Sequence, residues 1–199
     1  LTLTSKTLKK IKGKKILIFG PTSDLGKRIN CNSLKNRGCK IFSHSFRINL
    51  NKPKISNIQN KSLIKKLIKT QPDFIFYFSS PKIYYDERKN LKLYNFYNLI
   101  FVHYFKKIVD ILRYNKIPSK IFYPSTIFLN EKNKYKRYRS YLASKKMAEK
   151  ICNSQENRKF VTCIRIPKLN TRSNYNLLGF YEGNNIKILD KYFDSFLRN

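Results

Sequence analysis

The sequence predicts an α/β fold: a doubly wound parallel sheet with helices on both faces. Three observations predict it. Short apolar runs alternate with longer stretches of helical period, the first run ends in a glycine turn that opens a helix, and each later run stops at small or polar residues. The elements follow in order. Residues 15–19 are an apolar run bounded by Gly20, the pattern of a buried strand. Residues 24–35 read as a helix with Ser23 or Asp24 as its N-cap and Gly38 closing it. Residues 39–45 give a second strand and residues 54–58 a weaker one. Residues 62–70 carry Leu63, Ile64, Leu67 and Ile68 at helical spacing, and Pro72 ends that helix. Residues 73–78 form a central strand, and residues 91–114 a long helix with Leu99, Val102, Phe105, Ile108, Val109 and Leu112 on its core face. Ile117-Pro118 breaks that helix, residues 120–123 form the next strand, residues 139–152 a helix, and residues 160–166 a last strand stopped by Pro167. Ile186, Leu189, Phe193 and Phe196 place one amphipathic helix near the C-terminus.

Composition bounds the function classes. The chain has 199 residues, enough for one domain with a core, and 41% of them are hydrophobic. No apolar run is long enough to span a bilayer, and residues 1–15 lack the apolar centre of a signal peptide. The sequence begins at Leu1 without a Met, which fits a trimmed chain, a fragment or an alternative start codon. Cys31, Cys39, Cys152 and Cys163 form no C-x-x-C pair and the histidines are only His44 and His103, so no metal site is expected. A reducing cytoplasm is the expected setting. The net charge of +32 is spread along the whole chain among Asn, Ile, Phe and Tyr, as base composition would leave it at tolerant surface positions. Nucleic acid is therefore not expected as the main partner, whereas attraction to anionic ligands such as nucleotide phosphates is.

Two motifs carry chemistry. Gly20-Pro21-Thr22-Ser23-Asp24-Leu25-Gly26 joins the first strand to the first helix. Glycine lets the backbone turn tightly and approach a pyrophosphate, and the helix N-terminus offers free N–H groups and partial positive charge. Ser23 stands where the usual pattern has its middle glycine. A dinucleotide-binding fold places an acid at the end of the second strand to hold ribose hydroxyls, but this region reads Ser43-His44-Ser45-Phe46-Arg47. Arg47 could meet a 2′-phosphate, which leans the choice between NAD and NADP towards NADP. Tyr141 and Lys145 lie four residues apart in a helix and share a face. A cation beside a phenol favours the phenolate and makes the pair a proton-transfer device. Gly20, Ser79-Ser80, Ser125-Thr126 and Pro167 all fall at strand ends, on the edge where ligands bind such sheets. The basic, aromatic run of residues 132–139 precedes Tyr141 and reads as a solvated loop with a bias towards a nucleotide diphosphate.

These segments, with Pro72 to Phe76, Phe122 to Thr126, Met147-Ala148-Glu149 and Ile164 to Pro167, resemble the extended short-chain dehydrogenase/reductase family in its NAD-dependent epimerase/dehydratase branch. The likeness runs from about Lys14 to Pro167. It implies a Rossmann-like NAD(P)-binding domain over residues 14–168, a basic N-terminal extension over 1–13 and a short C-terminal segment with one helix over 169–199. By resemblance Tyr141 is the acid/base, Lys145 holds the nicotinamide ribose and lowers the tyrosine pKa, and Thr126, ending the fifth strand, binds the reacting oxygen, with Ser125 the adjacent alternative. Asn57-Ile58 occupies the adenine-side position where the family often has Asp and an aliphatic residue, and Ser79-Ser80 replaces a small pair against the cofactor. The expected reaction is hydride transfer between the cofactor and a nucleotide-activated sugar, in a protein that could form a homodimer. The family's 4,6-dehydratases carry an acidic pair after the catalytic threonine; Ile127-Phe128 stands there, which leaves an epimerase or a keto-sugar reductase. Family members continue into a substrate-gripping C-terminal lobe that residues 168–199 are too few to build. That shortness makes a non-catalytic dinucleotide-binding module the alternative reading.

Overall fold

The computed structural model describes residues 3–29, 32–45, 57–86, 90–130, 135–167 and 185–198. Five parallel strands, β1 (Lys15–Phe19), β2 (Lys40–His44), β3 (Phe74–Tyr77), β4 (Lys120–Thr126) and β5 (Val161–Ile166), form one sheet in the order β2-β1-β3-β4-β5. The helices are α1 (Ser5–Ile11), α2 (Asp24–Ile29), α3 (Asn32–Lys35), α4 (Asn57–Thr70), α5 (Leu91–Asn98), α6 (Phe105–Tyr114), α7 (Arg139–Cys152) and α8 (Asn185–Arg198). The chain leaves β1 towards β2, then crosses back to β3 on the other side of β1. This reversal opens a crevice at the carboxyl ends of β1 and β3, where such sheets bind ligands.

Strand side chains alternate between two cores, as a period of two requires. Leu17, Phe19, Ile75, Tyr77, Ile121 and Tyr123 face α4 to α7. Ile16, Ile18, Phe74, Phe76, Phe78 and Phe122 face α1, α2, α3 and α8. On that second face Phe193 and Phe196 of α8 set their ring edges on Phe76 and Phe122 at centroid distances of 5.2–5.6 Å. The C-terminal helix thus caps the sheet, as its apolar spacing predicts; the side chain of Ile186 lies outside the described residues. α1, within the segment set apart in the sequence as an extension, packs beside α8: Ile11 is fully buried, and Asp194 accepts from the Thr4 N–H at 2.8 Å.

Four expectations change. Asn57 and Ile58 belong to the first turn of α4, because nothing between them and Thr70 breaks a helix; residues 54–56 of the expected strand lie outside the described residues. Thr126 consequently ends the fourth strand, not the fifth. That strand also continues past Tyr123, since residues 124–126 pair with Ile164, Arg165 and Ile166 of β5. Pro124 fits there because β3 pairs only as far as Phe122, so no ladder bond needs its missing N–H. Finally, the long helix holds a π-helical segment, Leu99–Tyr104, between α5 and α6. Its wider turn leaves the carbonyls of Ile100 and Phe101 to accept from the hydroxyls of Tyr77 (2.5 Å) and Tyr123 (3.3 Å). Among the described residues no helix is long and apolar enough to cross a membrane, and no cluster of His, Cys, Asp and Glu could hold a metal ion.

Candidate active site

The glycine loop is built tightly. Gly20 has φ +74°, and a Cβ there would stand 2.7 Å from the backbone carbonyl of Phe78, so the loop touches the end of β3. A Cβ on Gly26 would stand 2.2 Å from the Gly20 carbonyl oxygen, so the first turn of α2 rests on the loop. Ser23 is the N-cap that this packing needs. Its hydroxyl donates to the Gly20 carbonyl at 2.7 Å and accepts from the Gly26 N–H at 3.0 Å. The serine in place of the usual glycine is therefore a structural part of the loop. Thr22 is exposed, Asp24 is half-buried in the first turn, and Leu25 packs on the second core. Ser79 lies against Gly20 and Ser80 is exposed beyond it. His44 ends β2, its carbonyl accepting from the Gly20 N–H at 3.1 Å and its Nε2 lying 2.9 Å from the Tyr104 hydroxyl. Burial pushes its pKa down, and Lys66 adds to that. Arg47 and the side chains of Asn57 and Ile58 lie outside the described residues.

Tyr141 and Lys145 share the buried face of α7, as their spacing predicts. The Tyr141 ring meets the edges of Tyr97 and Phe101 at 5.9 and 5.6 Å. Its hydroxyl has the Thr126 side chain as a neighbour, across from the end of β4. Thr126 also accepts from the Phe128 N–H at 3.3 Å, which fixes its rotamer. Burial raises the phenol's pKa well above its usual value; Thr126 lowers it as a hydrogen-bonding neighbour, and Tyr97 raises it further. The phenol is neutral here.

Lys145 differs from its expected placement. Its ammonium points into the core, donating to the Pro124 carbonyl at 2.7 Å and lying 4.2 and 4.7 Å from the ring centroids of Phe101 and Tyr123. The attraction to two rings and a carbonyl outweighs the pull of solvent on a chain already buried by the helix. Burial lowers its pKa to about 8, partly offset by Cys163, Cys152 and Glu149. The unfolded value near 10.5 exceeds the folded value of about 8, so the unfolded chain binds more protons between them and stability rises with pH across that window. Below it the cost of the buried charge stands in full, on the order of 3 kcal/mol. Lys145→Met should remove this rise, measured by denaturant unfolding at pH values below and across the window.

Behind this pair, Glu149 is clasped by Arg165 through Nε to Oε1 at 2.8 Å and Nη2 to Oε2 at 2.6 Å. Burial pushes the carboxyl up, but the Arg165 bonds and the charges of Arg165 and Lys145 together hold it low. Ser125 lies on the Glu149 side and Thr126 on the Tyr141 side, and the buried Ser125 hydroxyl meets no partner at hydrogen-bond distance among the described residues. In front, Phe128 stacks on Tyr135 at 3.9 Å and Tyr138 on Tyr85 at 5.0 Å, giving the edge an aromatic wall beside Lys136 and Arg137. Pro167 follows β5 on the same edge. Ile127 and Phe128 hold the places after Thr126, with no carboxylate there. The ring wall of Tyr97 and Phe101 was not legible as a site, since in sequence both are ordinary apolar members of a long helix.

No protein-family model and no curated protein matches the chain. Solved structures do match in fold. A short-chain dehydrogenase of Salmonella enterica serovar Typhi superposes with a TM-score of 0.74 at 10% identity, covering 100% of this chain and 96% of that one. An oxidoreductase of Escherichia coli gives 0.72 at 12% identity over 98% of this chain and 95% of that one. A short-chain dehydrogenase of Shigella flexneri, complexed with NADP, gives 0.68 at 12% identity over 94% and 90%. These three are described as dehydrogenases or an oxidoreductase, not as epimerases or dehydratases. At such identities the likeness establishes the fold: this chain has the Rossmann-like α/β architecture of short-chain dehydrogenases.

Proposed function

We propose that the chain is an NADP(H)-dependent oxidoreductase in which Tyr141 moves the proton of the reacting oxygen, acting on a nucleotide-activated sugar as a keto-reductase or an epimerase. The observation that carries this reading is the buried Tyr141 phenol in the first turn of α7 with the Thr126 side chain of β4 beside it, at the carboxyl edge of the sheet where the Gly20–Gly26 loop lies. A bound nicotinamide would supply or accept the hydride. This reading assigns Gly20, Thr22, Ser23, Asp24, Leu25 and Gly26 to the cofactor's pyrophosphate, Ser79 and Ser80 to its neighbouring face, and Arg47, Asn57 and Ile58 to its adenosine end. Lys145 and Pro167 are assigned to its nicotinamide half. The NADP complex of a structure with the same fold supports the lean towards NADP.

Tyr141 as a neutral phenol is a proton donor, which favours reduction of a carbonyl: the phenol gives its proton as the oxygen gains charge, and Thr126 holds that oxygen or the phenolate left behind. Lys136 and Arg137, beside the aromatic wall, suit a nucleoside diphosphate. A non-catalytic dinucleotide-binding module is the second reading, favoured by the inward-turned ammonium of Lys145.

The test offers NADPH, deuterated at its transferable position, together with a panel of nucleoside-diphosphate keto-sugars and simple ketones, with products read by mass spectrometry. A parallel reaction starts from NADP⁺ and the corresponding sugar nucleotides. Deuterium on a sugar carbon with net formation of NADP⁺ identifies a reductase. An inverted carbon without net cofactor consumption identifies an epimerase. Deuterium on simple ketones alone contradicts the sugar-nucleotide substrate. Intact NADPH binding with no transfer to any acceptor supports the module.

A further inference from the structure

The helix that carries Tyr141 has no cap of its own. Tyr138 occupies its N-cap position, and no side chain there bonds the free N–H groups of the first turn. Yet Tyr141 lies in that turn, three residues beyond Tyr138, where an uncapped helix frays. The missing cap arrives from the other side of the crevice. Asp86, in the segment that follows β3, accepts from the Ser140 N–H through Oδ2 at 2.9 Å. Its own N–H donates to the Arg137 carbonyl at 2.7 Å, making an isolated parallel bridge with Tyr138.

Further contacts close the clasp. The Ser140 hydroxyl donates to the Asn90 carbonyl at 3.2 Å, and Asn90 in turn caps α5 by accepting from the Leu93 N–H at 3.1 Å. Tyr85 stacks on Tyr138, and the Tyr84 N–H donates at 2.8 Å to the hydroxyl of Tyr97, whose ring packs against Tyr141. A carboxylate at a helix N-terminus satisfies a free donor and complements the helix dipole. Asp86 is only 6% exposed, and its second oxygen, Oδ1, meets no donor among the described residues. A serine or threonine at the N-cap would satisfy the helix without burying that oxygen, so stability alone does not account for an aspartate reaching in from a distant loop.

Resting on the reading of Tyr141 as the acid/base, we infer that Asp86 is a positioning residue for it: a cap supplied by the β3–α5 connection that fixes the first turn of α7 and so the place of the phenol. The connection also follows Ser79 and Ser80 on the proposed cofactor edge, so the clasp ties cofactor side and proton donor into one unit.

Hydrogen exchange read by mass spectrometry over residues 139–142 tests this, with NADPH affinity measured alongside. Loss of a cap of this kind corresponds to about tenfold faster exchange of that turn, so Asp86→Ala should show about that rise with NADPH affinity within about twofold of the parent. Asp86→Asn keeps an acceptor for the Ser140 N–H and should return exchange to within about threefold of the parent. In the deuteride assay Asp86→Ala should lower kcat and leave the KM for NADPH unchanged, and Asp86→Asn should restore most of kcat. Parent-like exchange in Asp86→Ala overturns the proposal, as does a rise of equal size throughout the sheet, which marks a residue of general stability. If Asp86→Ala does not fold, Asp86→Asn decides alone: fraying of residues 139–142 beyond that limit, with the sheet intact, contradicts the cap's neutral rescue. A parent that binds no NADPH would sink the proposed function and leave the exchange result standing.

Discussion

Gly26→Ala is expected to cut dinucleotide affinity by roughly a hundredfold while leaving the sheet folded. A methyl at this position would stand 2.2 Å from the Gly20 carbonyl oxygen and 2.8 Å from the Pro21 Cα, both backbone atoms with no flexible side chain to yield. The same carbonyl accepts from the Ser23 N–H and hydroxyl, so moving it away breaks the N-cap of α2 as well. Overpacking of this kind costs about 3 kcal/mol, and a loop displaced by that much free energy corresponds to about a hundredfold loss of affinity. The strands keep their own cores, because Ile16, Ile18, Leu17 and Phe19 are buried by helices on both faces independently of the loop. The expected result is loss of binding in a titration together with a native-like circular dichroism spectrum. Ser23→Gly should weaken the loop far less, since it removes one cap and adds no clash.

Tyr141→Phe is expected to lower turnover by about a hundredfold to ten-thousandfold, the range for removal of a general acid or base, with cofactor affinity little changed. The variant keeps the ring that packs on Tyr97 and Phe101 and loses only the hydroxyl, whose hydrogen-bonding neighbour is Thr126. One such bond contributes about 1 kcal/mol, too little to unfold a domain of this size. Burial holds the parent phenol protonated well past neutrality, so reduction in the parent should not fall with pH through ionisation of this group until strongly alkaline conditions. A rate that tracks the Lys145 titration near 8 instead would assign the proton to the ammonium.

What could be read in the sequence was local. The Gly20–Gly26 loop is contiguous with β1 and α2, so strand, turn and helix announce it together. Tyr141 and Lys145 meet because a helical repeat puts them on one face. The docking of α8 follows from its apolar stripe, although nothing in that stripe identifies Phe76 and Phe122 as its partners. What could not be read depends on residues far apart in the chain. The direction of the Lys145 ammonium is set by Phe101, Tyr123 and Pro124, which come from the π-helical segment and β4. That segment contains neither proline nor glycine to mark it. Asp86 and Ser140 are separated by 54 positions, and the only local hint of their bond is a tyrosine at an N-cap that needs an acceptor. Ser23 shows a subtler failure of pattern reading: in sequence it is a missing glycine, and in the structure it is the side chain that holds the loop together.

The most direct measurement is a calorimetric titration of NADPH into the parent protein, Tyr141→Phe and Gly26→Ala. Parent and Tyr141→Phe should bind one equivalent with similar affinity, on the order of micromolar, and Gly26→Ala should show no saturable binding over the same range. A parent that fails to bind NADPH and NADH, or a Gly26→Ala variant that binds as tightly as the parent, would contradict the assignment of this loop and the edge beside Tyr141 as a dinucleotide site.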